Sequence, residues 1–214
     1  MSALRNWLIG LASVIAATTI SYLWLDQPLA LLFYAQVQHP EPLVKLSHLP
    51  DPFVPLAVVT FVGLGLWNLS GRVLSRLQNA ALLCSLSLLV ADATKAQLKF
   101  VFGRTWPDTW FQKNPSFIQD GAYGFNFFHG GQEYASFPSG HMAITCAVVA
   151  VLWRFYPTWR TLYIFGALAA AAGLMGANFH FLSDVIAGGF VGVSSGWMVT
   201  SLWKAHEHFD TPKR

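Results

Sequence analysis

The sequence predicts an all-α fold: a six-transmembrane-helix bundle with a long aromatic-rich periplasmic loop and short interfacial helices. Three observations predict it. Of 214 residues, 54% are hydrophobic and only 11% charged, with a mean hydropathy of +0.45, whereas a soluble domain carries about a quarter charged residues. The apolar residues fall in long blocks and not in short alternating runs, so lipid is the expected solvent. The polar residues with chemical potential gather at a few block ends and in one long loop.

Taken in order, the first block covers about residues 6–25. It is long, and no small-x-small cleavage site follows it cleanly, so it reads as a span and not as a signal peptide. A stretch bearing Pro28, Pro40, Pro42, Pro50 and Pro52 follows. Its apolar middle, residues 29–37, is too short to span and is expected to lie in the interface. Blocks at about 53–70, 78–98, 139–156, 160–178 and 183–203 complete the six. Each is close to the 17–25 residues that cross roughly 30 Å of hydrocarbon. The loop of roughly residues 100–138 is rich in Gly, Pro, Asn and aromatics, and a loop that long in so economical a chain is usually functional. The whole, residues 1–214, reads as a single integral-membrane domain without repeats.

Charge placement orients the bundle. With a cytoplasmic N-terminus, that side holds Arg5, Arg72, Arg76, Arg154, Arg160, Lys204, Lys213 and Arg214. The other side holds Lys45, Lys95, Lys99, Arg104 and Lys113. This excess predicts cytoplasmic termini and a non-cytoplasmic polar face. A net charge of +3 is too small to argue for nucleic acid, and no obligatory protein partner is evident. Cys84 and Cys146 lie within apolar blocks and read as small buried hydrophobes.

Three polar clusters fall on the predicted non-cytoplasmic face. In residues 92–107, Asp92, Lys95 and Lys99 share one helix face, with Arg104 just beyond. Either they face a polar cavity, or Asp92 pairs with Lys95 while the lysines snorkel to headgroups. In residues 137–143, Pro138 and Gly140 set a turn, Ser139 can cap, and free N–H groups at the helix start suit a phosphate. His141 beside them can carry a proton near neutral pH, although an ordinary capped helix with a lone histidine reads the same way. In residues 178–189, His180 and Asp184 are four apart, so on a helix the carboxylate meets the imidazole and fixes its tautomer. Alternatively, Ser183 or Asp184 merely caps the last helix. Together the clusters supply cations, an anion-binding turn and a His–Asp pair, the parts phosphoryl transfer needs. No His/Asp/Cys set has metal-ligand spacing, and neither metal nor cofactor is expected.

These clusters resemble the type 2 phosphatidic acid phosphatase (PAP2) superfamily over roughly residues 50–205. Its pattern runs Lys, six residues, Arg-Pro; then Pro-Ser-Gly-His; then Ser-Arg, five residues, His, three residues, Asp. Lys99 and Pro107 bound the first part, residues 138–141 match the second in full, and His180 and Asp184 end the third. Trp106 stands where the first part has Arg, and Gly173-Leu174 where the third has Ser-Arg. The resemblance implies a metal-independent lipid phosphate or diphosphate phosphatase working through a phosphohistidine on His180, in a bacterial inner membrane whose non-cytoplasmic face is the periplasmic one. Asp184 orients His180, and His141 protonates the leaving oxygen. Lys99, Arg104, Ser139 and Gly140 would hold the phosphoryl oxygens, with Arg104 standing in for the lost arginines. Phosphatidic acid, phosphatidylglycerol phosphate and undecaprenyl diphosphate all qualify as substrates. The alternatives are a lipid phosphotransferase using the same intermediate, or a degenerate member that binds anionic lipid. The loop aromatics Trp106, Trp110, Phe111, Phe117, Tyr123, Phe125, Phe127 and Phe128 suit a lid or an interfacial belt.

Overall fold

The computed structural model describes residues 2–37, 40–110 and 112–210, the side chains of Ser2 and of residues 204–210 aside. Phe111, Lys213, Arg214 and the Lys204 side chain, all invoked above, lie outside that set. Among the described residues the chain is helical, with no strand beyond isolated bridges. The helices are α1 (Ser2–Ile20), α2 (Asp26–Gln36), α3 (Glu41–Ser47), α4 (Phe53–Leu69), α5 (Arg76–Phe102), α6 (Phe117–Asp120), α7 (Gly140–Phe155), α8 (Arg160–Gly176) and α9 (Leu182–Asp210). Among the described residues, three stretches are long and apolar enough to cross a membrane: Ala3–Gln36, Arg76–Phe102 and Leu182–Trp203. Phe53–Leu69 and Gly140–Phe155 are shorter apolar helices.

The first helix corrects an expectation. Residues 29–37 are not a separate interfacial piece. A π-helical turn, Ser21–Leu25, joins α1 to α2 and carries the helix on to Gln36. Pro28 follows directly inside this continuous helix, and its missing N–H removes a bond to the preceding turn at the point where the regular ladder gives way to the π turn. The turn's extra residue rotates α2 relative to α1, and Asp26 ends up buried at 1% exposure. The short helix outside the bundle is α3.

Local chemistry explains the ends that matter. Ser75 and Gln78 form a capping box that starts α5, and Gly103 stops it in the left-handed region at φ 53°. There a Cβ would fall 1.9 Å from the Asn126 carbonyl oxygen, so the loop can close over the helix end only on glycine. Ser139 caps α7 by accepting from the Met142 N–H.

Helices α5, α7 and α9 form the centre, with α4 beside α5 and α1 beside α9. Gly188, Gly192 and Gly196 line one face of α9 at a spacing of four. A Cβ on Gly188 would lie 2.3 Å from the Ser139 carbonyl oxygen, and one on Gly192 2.2 Å from that of Ala143. Backbone-to-backbone contact of this kind is how helices pack where lipid removes the hydrophobic drive. Small cores fill the remainder, one of Leu83, Val151 and Val199, another of Ala57, Leu88 and Ile144. The outer faces expose apolar side chains such as Val59, Leu66, Phe165 and Leu202, as a lipid-facing surface does.

Candidate active site

A cavity of about 800 Å³ opens where α5 ends, α7 begins and α8 connects to α9. Lys95, Lys99, Trp106, Gly140, His141 and His180 line it. Residues from all three polar clusters of the sequence therefore meet at one place.

His180 lies in the turn between α8 and α9, its own N–H and that of Phe179 both donating to the Leu174 carbonyl. Its Nδ1 lies 3.4 Å from Asp184 Oδ2, an i, i+4 pair as the spacing predicts. With Nδ1 turned to the carboxylate, Nε2 is the ring nitrogen available to the cavity. Burial pulls the His180 pKa down to about 4, outweighing the pull of Asp184 towards the charged form. The ring is therefore neutral at pH 7 and keeps the lone pair that a nucleophile needs.

Asp184 is held from every side. Its Oδ2 also accepts from Ser136 Oγ at 2.6 Å and the Phe181 N–H at 2.9 Å, and its Oδ1 from Arg104 Nη1 at 2.5 Å. The expected role of Arg104 does not match this placement. Its side chain is wholly buried behind Asp184 and does not line the cavity. Arg104 Nη1 also donates to Ser183 Oγ at 2.5 Å, and Nη2 to Asp26 Oδ2 at 2.7 Å. Rings of Tyr22, Tyr123, Phe125 and Phe181 surround the guanidinium at 4.4–5.3 Å. Burial opposes its charge, but Asp184 and Asp26 outweigh burial and hold it above the ordinary arginine value. Asp184, Asp26 and Ser183 take bonds from both Nη atoms, and Nε, though without a partner among the described residues, is buried with the rest of a side chain that does not line the cavity.

The other predicted residues divide. Lys99 and Gly140 line the cavity with His141. Ser139 is fully buried and only caps α7, while its N–H donates to the Asp184 carbonyl at 3.0 Å. Lys95 pairs with Asp92 at 2.8 Å, the structural alternative named for that pair, yet it also lines the cavity and lies against Gly140. Lys99 Nζ donates to the Ala135 carbonyl and sits 5.4 Å from the Trp106 ring centroid. Trp106, in the place of the family arginine, packs 5.2 Å from the His180 ring and donates through Nε1 to the Gln132 carbonyl. The side chain of Leu174, in the place of the second arginine, is buried. Gly173 is accounted for by α3: a Cβ there would lie 3.1 Å from the Leu43 carbonyl oxygen and the Ser47 nitrogen. The loop aromatics split too. Tyr123 and Phe125 pack inward, whereas Trp110, Phe127 and Phe128 remain exposed.

Sequence reasoning missed Asp26 and Ser136 behind the site and His48 and Asp51 beside it, and read Ser183 only as a cap, whereas it accepts from Arg104 and donates to Asp26. A carboxylate at the end of an apolar run was the available signal for Asp26. Asp51 Oδ2 meets His48 Nδ1 at 2.8 Å, and Oδ1 meets His141 Nε2 at 2.7 Å. Burial acts to raise the Asp51 pKa, but the hydrogen bonds from His141 and His48 outweigh it and hold the carboxyl below the usual range. No ligand set was expected. The three side chains nonetheless bring donor atoms within 4.8 Å of one another.

Comparison with known proteins shows the family and the fold. The sequence pattern of the PAP2 superfamily matches residues 80–207. Lipid A 1-phosphatases from Rhizobium etli and Rhizobium johnstonii are each 33% identical over 91 residues, 42% of this chain. The match spans only 36% and 34% of those relatives' lengths. A crystal structure of a transmembrane PAP2 type phosphatidylglycerolphosphate phosphatase from Bacillus subtilis shares the fold, with a TM-score of 0.55 at 17% identity, covering 95% of this chain and 98% of the other.

Proposed function

The chain belongs to the PAP2 superfamily, and on that premise we propose that it is a membrane enzyme hydrolysing a lipid phosphate or diphosphate through a phosphohistidine. The observation that carries this reading is the meeting of the His180–Asp184 pair, His141 and Lys99 at one cavity. His180 Nε2 attacks phosphorus while Asp184 keeps the Nδ1 proton in place. The bond to the lipid oxygen breaks, and His141 gives that oxygen a proton. His141 then takes a proton from water, whose oxygen attacks the phosphohistidine and releases inorganic phosphate. Lys99, Lys95 and the Gly140 N–H at the start of α7 hold the equatorial oxygens. The lysines take over from the arginines absent at Trp106 and Leu174, and Arg104 acts one layer back by fixing Asp184.

The relatives' names point to phosphorylated lipids, so the substrate class is a lipid phosphate with a large apolar tail. The charge distribution supports six crossings in an inner membrane, with the cavity on the periplasmic side and both termini cytoplasmic. The missing arginines favour one second reading, a member that binds anionic lipid without turnover.

Phosphate release from a panel of lipid phosphates by detergent-purified protein, with His180→Ala alongside, separates the two. Hydrolysis requires release by the wild type, loss in the variant, and an acid-labile, base-stable label on the protein from 32P-labelled substrate. Binding without release on the whole panel selects the second reading.

A further inference from the structure

We propose that His48, Asp51 and His141 form a binding site for a zinc-class divalent cation at the cavity, and that occupancy switches the enzyme off. The second half rests on the reading of His141 as the general acid; the first half does not.

The donor set is two imidazoles and a carboxylate, which zinc and similar borderline ions accept with a fourth position left open. Ions such as magnesium and calcium prefer oxygen and are disfavoured here. The geometry is close to what a tetrahedral ion asks. Each oxygen of Asp51 faces one histidine nitrogen, at 2.8 and 2.7 Å, and all three donor atoms lie within 4.8 Å of one another. Metal bonds of about 2.0–2.2 Å place tetrahedral ligands roughly 3.3 Å apart, so side-chain shifts on the order of 1 Å complete the site. The side chains can make them, because those of His48, Asp51 and His141 are 53%, 49% and 32% exposed. In the free protein Asp51 gathers an N–H from each ring, and one cation would replace both contacts.

The fold prepares this arrangement. His48 follows α3, which lies on Gly173 and Gly176 of α8, and Asp51 lies one turn further, its N–H donating to the His48 carbonyl at 3.1 Å. The His48 ring stands edge-on to Phe179 at 5.9 Å and to His141 at 6.0 Å. His141 comes from the first turn of α7. A bound cation therefore ties the α3–α4 turn to α7 across the cavity, with its open position towards the space a phosphate would enter. A coordinated Nε2 has given up its lone pair to the ion and cannot also hold a proton, so the His141 ring is taken out of proton transfer by ligation itself. The ion thus removes the acid without touching His180.

The test uses the full chain, purified in detergent without a polyhistidine tag and stripped with a chelator. Cobalt(II) reports binding through its visible d–d absorption, and zinc competes for the site. The wild type should bind one more equivalent of cobalt than His48→Ala or His141→Ala, and zinc should displace it. Size-exclusion profiles and melting temperatures check that the variants are folded, and Asp51→Asn, which keeps the shape, should weaken the same equivalent. Equal cobalt binding by the wild type and folded His48→Ala overturns the site. Saturating zinc should slow phosphate release by roughly 100-fold, the low end of what acid catalysis contributes. Site-dependent cobalt binding with undiminished release in zinc overturns the switch. A chain that binds cobalt as expected but hydrolyses no lipid phosphate refutes the enzymatic reading and leaves the cation site standing.

Discussion

Arg104 and Asp184 meet at 2.5 Å with neither side chain exposed, so the strongest cation near the cavity is tied to the carboxylate behind His180, the proposed nucleophile. Removing one partner of a buried ion pair leaves an uncompensated charge and costs about 3–5 kcal/mol. Arg104→Ala should therefore lose stability of that order and all turnover. The milder Arg104→Lys should keep its affinity for vanadate within a fewfold while kcat falls, because the residue positions Asp184 and does not hold phosphate. A large loss of vanadate affinity with kcat intact would reverse that assignment.

The depressed pKa of His180 sets two pH limits. The folded value, about 4, lies below the ordinary 6.5, so the folded chain holds the neutral ring and the unfolded chain protonates first. Stability from this source is complete above pH 6.5 and is lost as pH falls towards 4, by about 3 kcal/mol in all. Melting temperature against pH should show this slope and lose it in His180→Asn. The acid limb of kcat/KM due to the nucleophile should likewise lie near pH 4 and not near 6.5.

Lys99 and Lys95 are the cations at the cavity among the described residues. A hydrogen bond to a charged group is worth about 1.5–3 kcal/mol, so Lys99→Met should lower kcat/KM by roughly 10- to 100-fold. Lys95→Met should lower it less, since Asp92 already neutralises part of its charge. Steady-state kinetics on the preferred lipid phosphate decide, and unchanged values for both variants would remove the lysines from the phosphate site.

Gly192 sits where α9 touches the α7 backbone, and a Cβ there meets the Ala143 carbonyl oxygen at 2.2 Å. Gly192→Ala should push the helices apart and cost about 1–3 kcal/mol, as overpacking does. Turnover should fall with it, because the packing of α7 on α9 holds Ser139 against Asp184 and sets where His141 enters the cavity. Gly65, with open space around its Cβ position, is the control and should tolerate alanine.

The residues that meet at the cavity were largely legible in the sequence: Lys95 and Lys99 share a face of α5, and His180 and Asp184 meet at the predicted spacing of four, although His180 lies in the turn before α9 and not on the helix. Helices α4, α5 and α7 were legible in the same way, from uninterrupted apolar length and from caps such as Ser75 and Ser139. Three-dimensional partners were not. Arg104 draws its carboxylates from positions 78 and 80 residues away, and no local pattern reports which anion an arginine will choose. The break at residues 29–37 was misplaced because Pro28 and the polar pair Asp26-Gln27 look like a helix end, and only tertiary contacts reveal that a π turn carries the helix through. His48 and Asp51 escaped notice because their third partner, His141, lies 90 residues on from Asp51.

The ion pairs around Arg104 also bear on how the protein is made. Asp26 arrives with the first helix, Arg104 near the middle, and Ser183 and Asp184 with the last helix, 157 residues separating Asp26 from Ser183. As the ribosome threads the chain into the bilayer, the guanidinium finds Asp26 already made but waits for Asp184, its second carboxylate. His180 itself precedes Asp184 by only four residues, so on the proposed mechanism a half-made chain has neither the nucleophile nor the carboxylate that aligns it, and cannot attack the surrounding lipids during its own assembly.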